Sequence, residues 1–161
     1  MQELDQILSE ASSKISEAYF RLSVHNAQAV YRERVYCYEL YHQLRSIWPD
    51  TPYFLNGEVD KQGHPVFPEA APKPDFLIHR PGTTENYAVI EVKSCNARPK
   101  GISKDIDTLK DFRSKGYLRA IYLIYGTKSE TVGQRIRKLL DDYGIEIWVH
   151  VEPGGIPKVI E

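Results

Sequence analysis

The sequence predicts an α/β protein built on a central mixed β-sheet with helices on both faces. Segments with apolar residues at helical spacing alternate with shorter apolar runs typical of strands, in the order α–α–β–β–β–α–β–α–β. A five-residue turn (81–85) joins the second and third strands, which favours an antiparallel pair, whereas helices separate the later strands. A sheet that combines both kinds of connection is mixed, and its crossover helices cover its faces.

Two helices and one strand are predicted in the first 60 residues. Residues 2–22 carry apolar side chains at helical spacing, and residues 27–47 form a second helix that stops at Pro49. The chain from 49 to 74 is rich in proline and glycine, and its best strand lies within 51–59.

Strands and helices alternate in the second half of the chain. Ser103 is the predicted N-cap of the first helix there and Gly116 its stop, while Gly144 closes the second. The predicted elements are strands 74–80 and 86–93, helix 102–116, strand 118–126, helix 131–144 and strand 145–151.

Length and composition indicate one globular domain over residues 1–161. We divide it into an N-terminal helical extension (1–26), a core (27–126) and a C-terminal helix and strand (127–161). The longest apolar run is six residues, 120–125, far too short to span a membrane, and the N-terminus carries no apolar signal core. Cys37 and Cys95 are far apart in the sequence and are expected to be free thiols, which favours a cytoplasmic location.

Charge is distributed unevenly along the chain. The formal net charge is −1, but residues 93–119 hold eight basic and three acidic side chains. A local basic stretch is typical of a phosphate-binding face, and a solvated helix surface is the alternative interpretation. On the first interpretation, the phosphate contacts would come from Arg98, Lys100, Lys104, Lys110 and Arg113, with Lys115 as a further candidate. Lys73 lies outside this stretch but shares the face of Asp75, so it is a separate candidate for a phosphate contact, with an ordinary surface lysine as the alternative interpretation.

Two carboxylates are predicted to face each other across the strand pair. If Arg80 pairs with Asn86, the antiparallel register sets Asp75 opposite Glu91, and Lys93 points to the same face as Glu91. Directly opposed like charges destabilise a sheet unless a cation lies between them. A divalent ion with oxygen ligands is the natural candidate, although a register slip of one residue would separate the two carboxylates.

These residues resemble the PD-(D/E)XK nuclease superfamily, which includes many restriction endonucleases and Holliday-junction resolvases. The resemblance rests on Pro74–Asp75 and on Glu91-Val92-Lys93 in the next strand, and it covers residues 27–126. It implies a restriction-endonuclease-like core of α–β–β–β–α–β order, here with an added N-terminal helix and a C-terminal helix and strand. It also implies a metal-dependent deoxyribonuclease that hydrolyses phosphodiester bonds.

The resemblance assigns a role to each site residue. Asp75, Glu91 and the Val92 carbonyl would hold Mg²⁺, for which Mn²⁺ would be a substitute. Lys93 would orient or deprotonate the attacking water, or neutralise charge that develops on the phosphate. Glu39, from the helix that precedes the sheet, would bind a second metal or its water, with Glu33 as the weaker alternative.

The expected partner is DNA. The small size of the chain favours a homodimer or a partner protein that supplies specificity, and no membrane association is expected. The alternative function is a catalytically inactive nuclease fold that serves as a DNA-binding or protein-binding module.

Overall fold

The computed structural model describes residues 3–58, 72–140 and 143–161. Five helices and eight strands occur in these ranges. The helices are α1 (Leu4–Ser13), α2 (Glu17–Phe20), α3 (Glu33–Ser46), α4 (Pro99–Ser114) and α5 (Ser129–Arg137). The strands are β1 (Leu22–Val24), β2 (Ala27–Val30), β3 (Phe54–Gly57), β4 (Phe76–His79), β5 (Asn86–Ser94), β6 (Arg119–Tyr125), β7 (Ile145–His150) and β8 (Lys158–Ile160).

A six-stranded mixed sheet of order β3-β4-β5-β6-β7-β8 forms the centre of the described structure. The pairs β3–β4, β4–β5 and β7–β8 are antiparallel, while β5–β6 and β6–β7 are parallel. Each parallel connection passes through a helix, α4 or α5, as parallel pairing requires. The predicted α/β class with a mixed sheet flanked by helices is therefore confirmed.

Both faces of the sheet are covered by apolar packing. Val92 and Leu123 pack on the side of α1 and α3, while Val89, Tyr122 and Ile124 pack on the side of α4 and α5. Burial on both faces explains why β5 and β6 are nearly continuous apolar runs in the sequence.

The register predicted for the β4–β5 pair is confirmed over its central residues. Leu77 pairs with Val89 and Ile78 with Ala88, which is the spacing that places Asp75 opposite Glu91. The register shifts by one residue between Ile78 and His79, so the predicted Arg80–Asn86 pairing is not continued at the turn.

The N-terminal region differs from the prediction. Residues 2–22 do not form one helix, since α1 ends at Ser13 and α2 is a separate short helix. Residues 27–30 are the second strand of a hairpin rather than the start of a helix, and α3 begins only at Glu33. The hairpin turn contains Asn26 at φ 55°, a left-handed conformation that asparagine tolerates better than most residues.

Two helix boundaries and one strand also differ from the prediction. Helix α4 begins at Pro99, where proline fits the first helical position, so its N-cap is Arg98 and not Ser103. Helix α5 ends at Arg137 instead of 144, and residues 141–142 of that prediction lie outside the described part. Strand β8 was not predicted, because its three residues are mostly exposed and show no burial pattern. In the described ranges, every helix is too short or too polar to cross a membrane.

Candidate active site

Asp75 and Glu91 meet at one end of the β4–β5 pair. Asp75 immediately precedes β4, and its Oδ2 accepts a hydrogen bond of 2.7 Å from the backbone N–H of Val92 in β5. The pairing of Phe76 with Ile90 sets Glu91 beside Asp75, close enough for the negative charge of Asp75 to act on the Glu91 carboxyl group. Glu91 is buried, with 6% of its surface exposed. The structure thus brings together the two carboxylates that the sequence predicted to face each other.

The pair of Asp75 and the buried Glu91 resists carrying two negative charges. Burial raises the pKa of Asp75 above its usual range, although the Val92 N–H and the Lys93 charge act in the opposite direction. Burial also raises the pKa of Glu91, and the negative charge of Asp75 raises it further. The pair therefore retains a proton more strongly than free carboxylates would, and a cation nearby would favour its full ionisation.

Lys93 is held between two carboxylates from opposite sides of the sheet. Its Nζ lies 3.1 Å from Glu33 Oε2, at the start of α3, and 2.9 Å from Asp105 Oδ2, in α4. The hydroxyl of Tyr122 also donates to Asp105 Oδ2, at 3.4 Å. Burial lowers the pKa of Lys93, but the hydrogen bond and charge of Asp105, together with Glu33, outweigh that effect and raise it overall. Lys93 is therefore a permanently charged ammonium.

Glu33, and not Glu39, is the α3 glutamate that reaches this site. Glu33 Oε1 accepts from the backbone N–H of Ser94 at 3.4 Å, in addition to its contact with Lys93. Glu39 instead accepts from Gln43 at 2.7 Å and lies 3.3 Å from His42, both on its own helix. The two glutamates are six positions apart along α3, which places them about 120° apart around the helix axis. The contacts given for Glu39 thus lie within α3, and its predicted role at the site stays a prediction.

Asp105 is a site residue that the sequence reasoning missed. It is buried, with 6% of its surface exposed, and its burial raises its pKa although the hydrogen bond from Lys93 opposes that effect. The signal was present, because Asp105 lies on the inward stripe of α4, four residues before Leu109 and seven before Phe112. A carboxylate in such a stripe needs a buried cation as its partner.

A cavity of ≈ 430 Å³ opens beside Asp75, between α3 and the adjacent ends of β3 and β4. We call it the α3 cavity. It is lined mainly by Glu33, Arg34, Tyr38, Tyr41, Glu58 and Asp75. Cys37 also lines it, and burial raises the pKa of that thiol. Both cysteines are free thiols, as predicted.

The predicted DNA-contacting residues divide into two groups. Lys73, Arg98, Lys100 and Lys104 have exposed side chains, and the last three lie at or just before the first turns of α4, close in sequence to Asp105.

The remaining basic residues of the stretch are engaged within the protein. Lys110 Nζ lies 3.8 Å from the centre of the Tyr143 ring, and Arg113 donates to the Tyr117 carbonyl at 2.7 Å. Lys115 pairs with Asp111 at 2.7 Å. These contacts place Lys110, Arg113 and Lys115 in support of the C-terminal part of α4, so they are poorer candidates for phosphate contacts than the exposed group.

Within residues 3–58, 72–140 and 143–161, no group of three or more His, Cys, Asp or Glu side chains is arranged to hold a metal ion. Comparisons with protein-family models, curated proteins and solved structures gave no match for this chain.

Proposed function

We propose that this chain is a Mg²⁺-dependent nuclease that hydrolyses DNA phosphodiester bonds, with a restriction-endonuclease-like core. The observation that carries the proposal is the juxtaposition of Asp75 with the buried Glu91, with the Lys93 ammonium two residues further along the same strand. Two carboxylates and a lysine at the end of a strand pair match the arrangement implied by the superfamily resemblance.

The donor set fits magnesium. Asp75 and Glu91 offer hard oxygen ligands, and the Val92 carbonyl would be the third protein ligand. Magnesium binds through one or two carboxylates and keeps several waters, so it does not need a third acidic ligand. When bound, the ion would polarise the scissile phosphate and lower the pKa of the attacking water.

Lys93 would stabilise negative charge that develops on the phosphate. An ammonium has three N–H donors, and Glu33 and Asp105 accept two of them, so the third can be directed at a phosphate oxygen. The raised pKa of Lys93 disfavours a role as the base that deprotonates water. Glu33 and Asp105 are then positioning residues, since they fix the ammonium without touching the reacting atoms.

Substrate phosphates would be bound at the start of α4. Arg98, Lys100 and Lys104 are exposed there, and Asp105 on the same helix reaches Lys93. Phosphate contacts of this kind position the nucleic acid and carry no sequence information. Sequence or structural specificity would have to come from another part of the chain, from a second copy or from a partner protein.

The second candidate function is an inactive nuclease fold that binds DNA or a protein. The observation that favours it is the two-carboxylate clamp on Lys93, because a lysine held in this way is also a structural ion pair. A DNA cleavage assay distinguishes the two functions, because only the nuclease would cut DNA.

The test is incubation of plasmid and linear DNA with the protein in Mg²⁺ or in EDTA. We expect cleavage with Mg²⁺ only, loss of cleavage in Asp75→Asn, and a loss of about 10²–10³ in rate in Lys93→Met, the size typical of removing one group that stabilises transition-state charge. Glu33→Gln should lower the rate, whereas Glu39→Gln, on the same helix but outside the site, should not. A wild-type protein that cuts neither DNA with any divalent ion would leave the binding-module function in place.

A further inference from the structure

The α3 cavity adjoins the proposed metal ligands, but the proposed hydrolysis of DNA gives it no function. Asp75 belongs both to the carboxyl pair and to the cavity wall. Glu58 is held next to it, because the Glu58 N–H donates to the Asp75 carbonyl at 3.1 Å. A volume of ≈ 430 Å³ is within the range of small-molecule sites. A group bound in the cavity would therefore lie beside the phosphate that Asp75 and Glu91 act on.

The walls of the cavity present aromatic rings. Tyr38 is 63% exposed although it is a large aromatic residue on the helix that covers the sheet. Tyr41, one turn further along α3, stacks on Phe76 with the ring planes 10° apart. An exposed ring beside a fixed one offers a surface on which a flat heterocycle can stack.

The charges of the cavity disfavour a phosphate as its occupant. Among the lining residues that the structure describes, Glu33, Glu58 and Asp75 contribute three carboxylates, against the guanidinium of Arg34. The Arg34–Glu58 contact is 3.7 Å long with both side chains well exposed, so it is weak and easily opened. Carboxylates accept hydrogen bonds, and the amino and imino N–H groups on the edges of nucleobases donate them.

We propose that the α3 cavity binds an unpaired nucleobase of the strand whose phosphate lies at Asp75 and Glu91; this inference rests on the proposed nuclease function. A base inside a duplex is stacked on both faces and paired along its edge, so it enters such a cavity only after leaving the stack. That cost is least for single-stranded or frayed DNA. The substrate class is therefore DNA with an unpaired nucleotide at the cut, and intact duplex is a poor substrate.

Substitutions of Tyr38 test whether the α3 cavity binds a base. The affinities of the wild-type protein, Tyr38→Ala and Tyr38→Phe are measured in EDTA for a fluorescein-labelled single strand and for the blunt duplex of the same sequence. Tyr19→Ala is the matched control, because Tyr19 is also an exposed tyrosine but lies in α2, outside the cavity. Tyr38→Ala should bind the single strand about 5-fold to 150-fold more weakly, the loss expected for one base–aromatic stack. Tyr38→Phe keeps the ring and should bind like the wild type, and none of the variants should change the affinity for blunt duplex.

Two results would overturn the inference. One is a loss of single-strand affinity in Tyr38→Ala no greater than in Tyr19→Ala, and the other is an equal loss for blunt duplex. The binding assay contains no metal, so its outcome is independent of catalysis. Single-strand binding that depends on Tyr38, without any cleavage in Mg²⁺, would remove the nuclease and leave the base-binding cavity. If DNA cleavage is unchanged in Tyr38→Ala and equal for single-stranded and duplex DNA, the nuclease function stands and the base-binding cavity is refuted.

Discussion

Replacing Lys93 by methionine should destabilise the protein as well as inactivate it. The Lys93 side chain is only 16% exposed and that of Asp105 only 9%, whereas Glu33 is 39% exposed. Water can solvate Glu33 when the ammonium is lost, but Asp105 becomes a buried charge without its cation. Removal of one partner from a buried ion pair costs about 3–5 kcal/mol. For a chain of this size, that corresponds to a fall in Tm of roughly 6–20 °C.

The loss of folding stability in Lys93→Met should depend on pH. Without Lys93, the pKa of Asp105 in the folded state should lie even further above its value of about 3.9 in the unfolded chain. The folded variant then binds the proton more tightly, so its stability is greatest at acid pH and falls as pH rises. Urea denaturation in EDTA should therefore show a small deficit relative to the wild type near pH 4 and the full deficit at pH 8.

A second substitution tests the cause. Asp105→Asn removes the stranded charge, so the double variant should regain about 1–3 kcal/mol relative to Lys93→Met, the usual cost of leaving a buried polar group without its partner. It should not regain DNA cleavage, because the ammonium is still missing. Equal deficits at both pH values, or strictly additive effects of the two substitutions, would refute the reasoning.

Three other predictions concern the metal and the DNA. Mg²⁺ at a hundred times its Kd should stabilise the protein by about 2.7 kcal/mol, or roughly 5–11 °C in a thermal melt, and Asp75→Asn should abolish that shift while stabilising the metal-free protein. The folded-state pKa values of Asp75 and Glu91 are raised, so urea midpoints of the metal-free protein should fall as pH rises above about 4, and saturating Mg²⁺ should reduce that fall. Neutralising Arg98 and Lys100 together should weaken DNA binding equally across sequences and reduce the salt dependence by about 0.9 per lost phosphate contact; an unchanged salt slope would make the stretch a solvated surface.

The strand pair that carries Asp75 and Glu91 was predictable because a short turn and a period of two residues leave few possible registers. Buried strands such as β6 were predictable because they are continuous apolar runs between turn residues. The β1–β2 hairpin was not predictable from the same signals. Its strands are largely exposed and have no apolar face, and the alanine and valine residues of β2 also fit the start of a helix.

The choice between Glu33 and Glu39 illustrates what periodicity leaves open in the site. Glu33 lies in line with the buried residues Tyr36, Leu40 and Leu44, at the N-terminal end of α3, whereas Glu39 borders that stripe, and the stripe alone does not show which end of α3 lies over the ends of β4 and β5. That arrangement is set by how α3 packs on the sheet, which is a tertiary property. The contribution of Asp105 to the site also depended on tertiary structure, because its partner, Lys93, lies on a different element, strand β5.

The position of Lys93 has a consequence for the folding of the site. Glu33 belongs to the helical layer on one face of the sheet and Asp105 to the layer on the other, and both contact one ammonium. A folding intermediate in which only one layer has docked would contain the strand pair but an incompletely fixed lysine. Local opening of either α3 or α4 in the native state would release the same side chain. Lys93 is therefore fully fixed only in molecules whose two layers are both docked, and the proposed cleavage would be confined to those molecules.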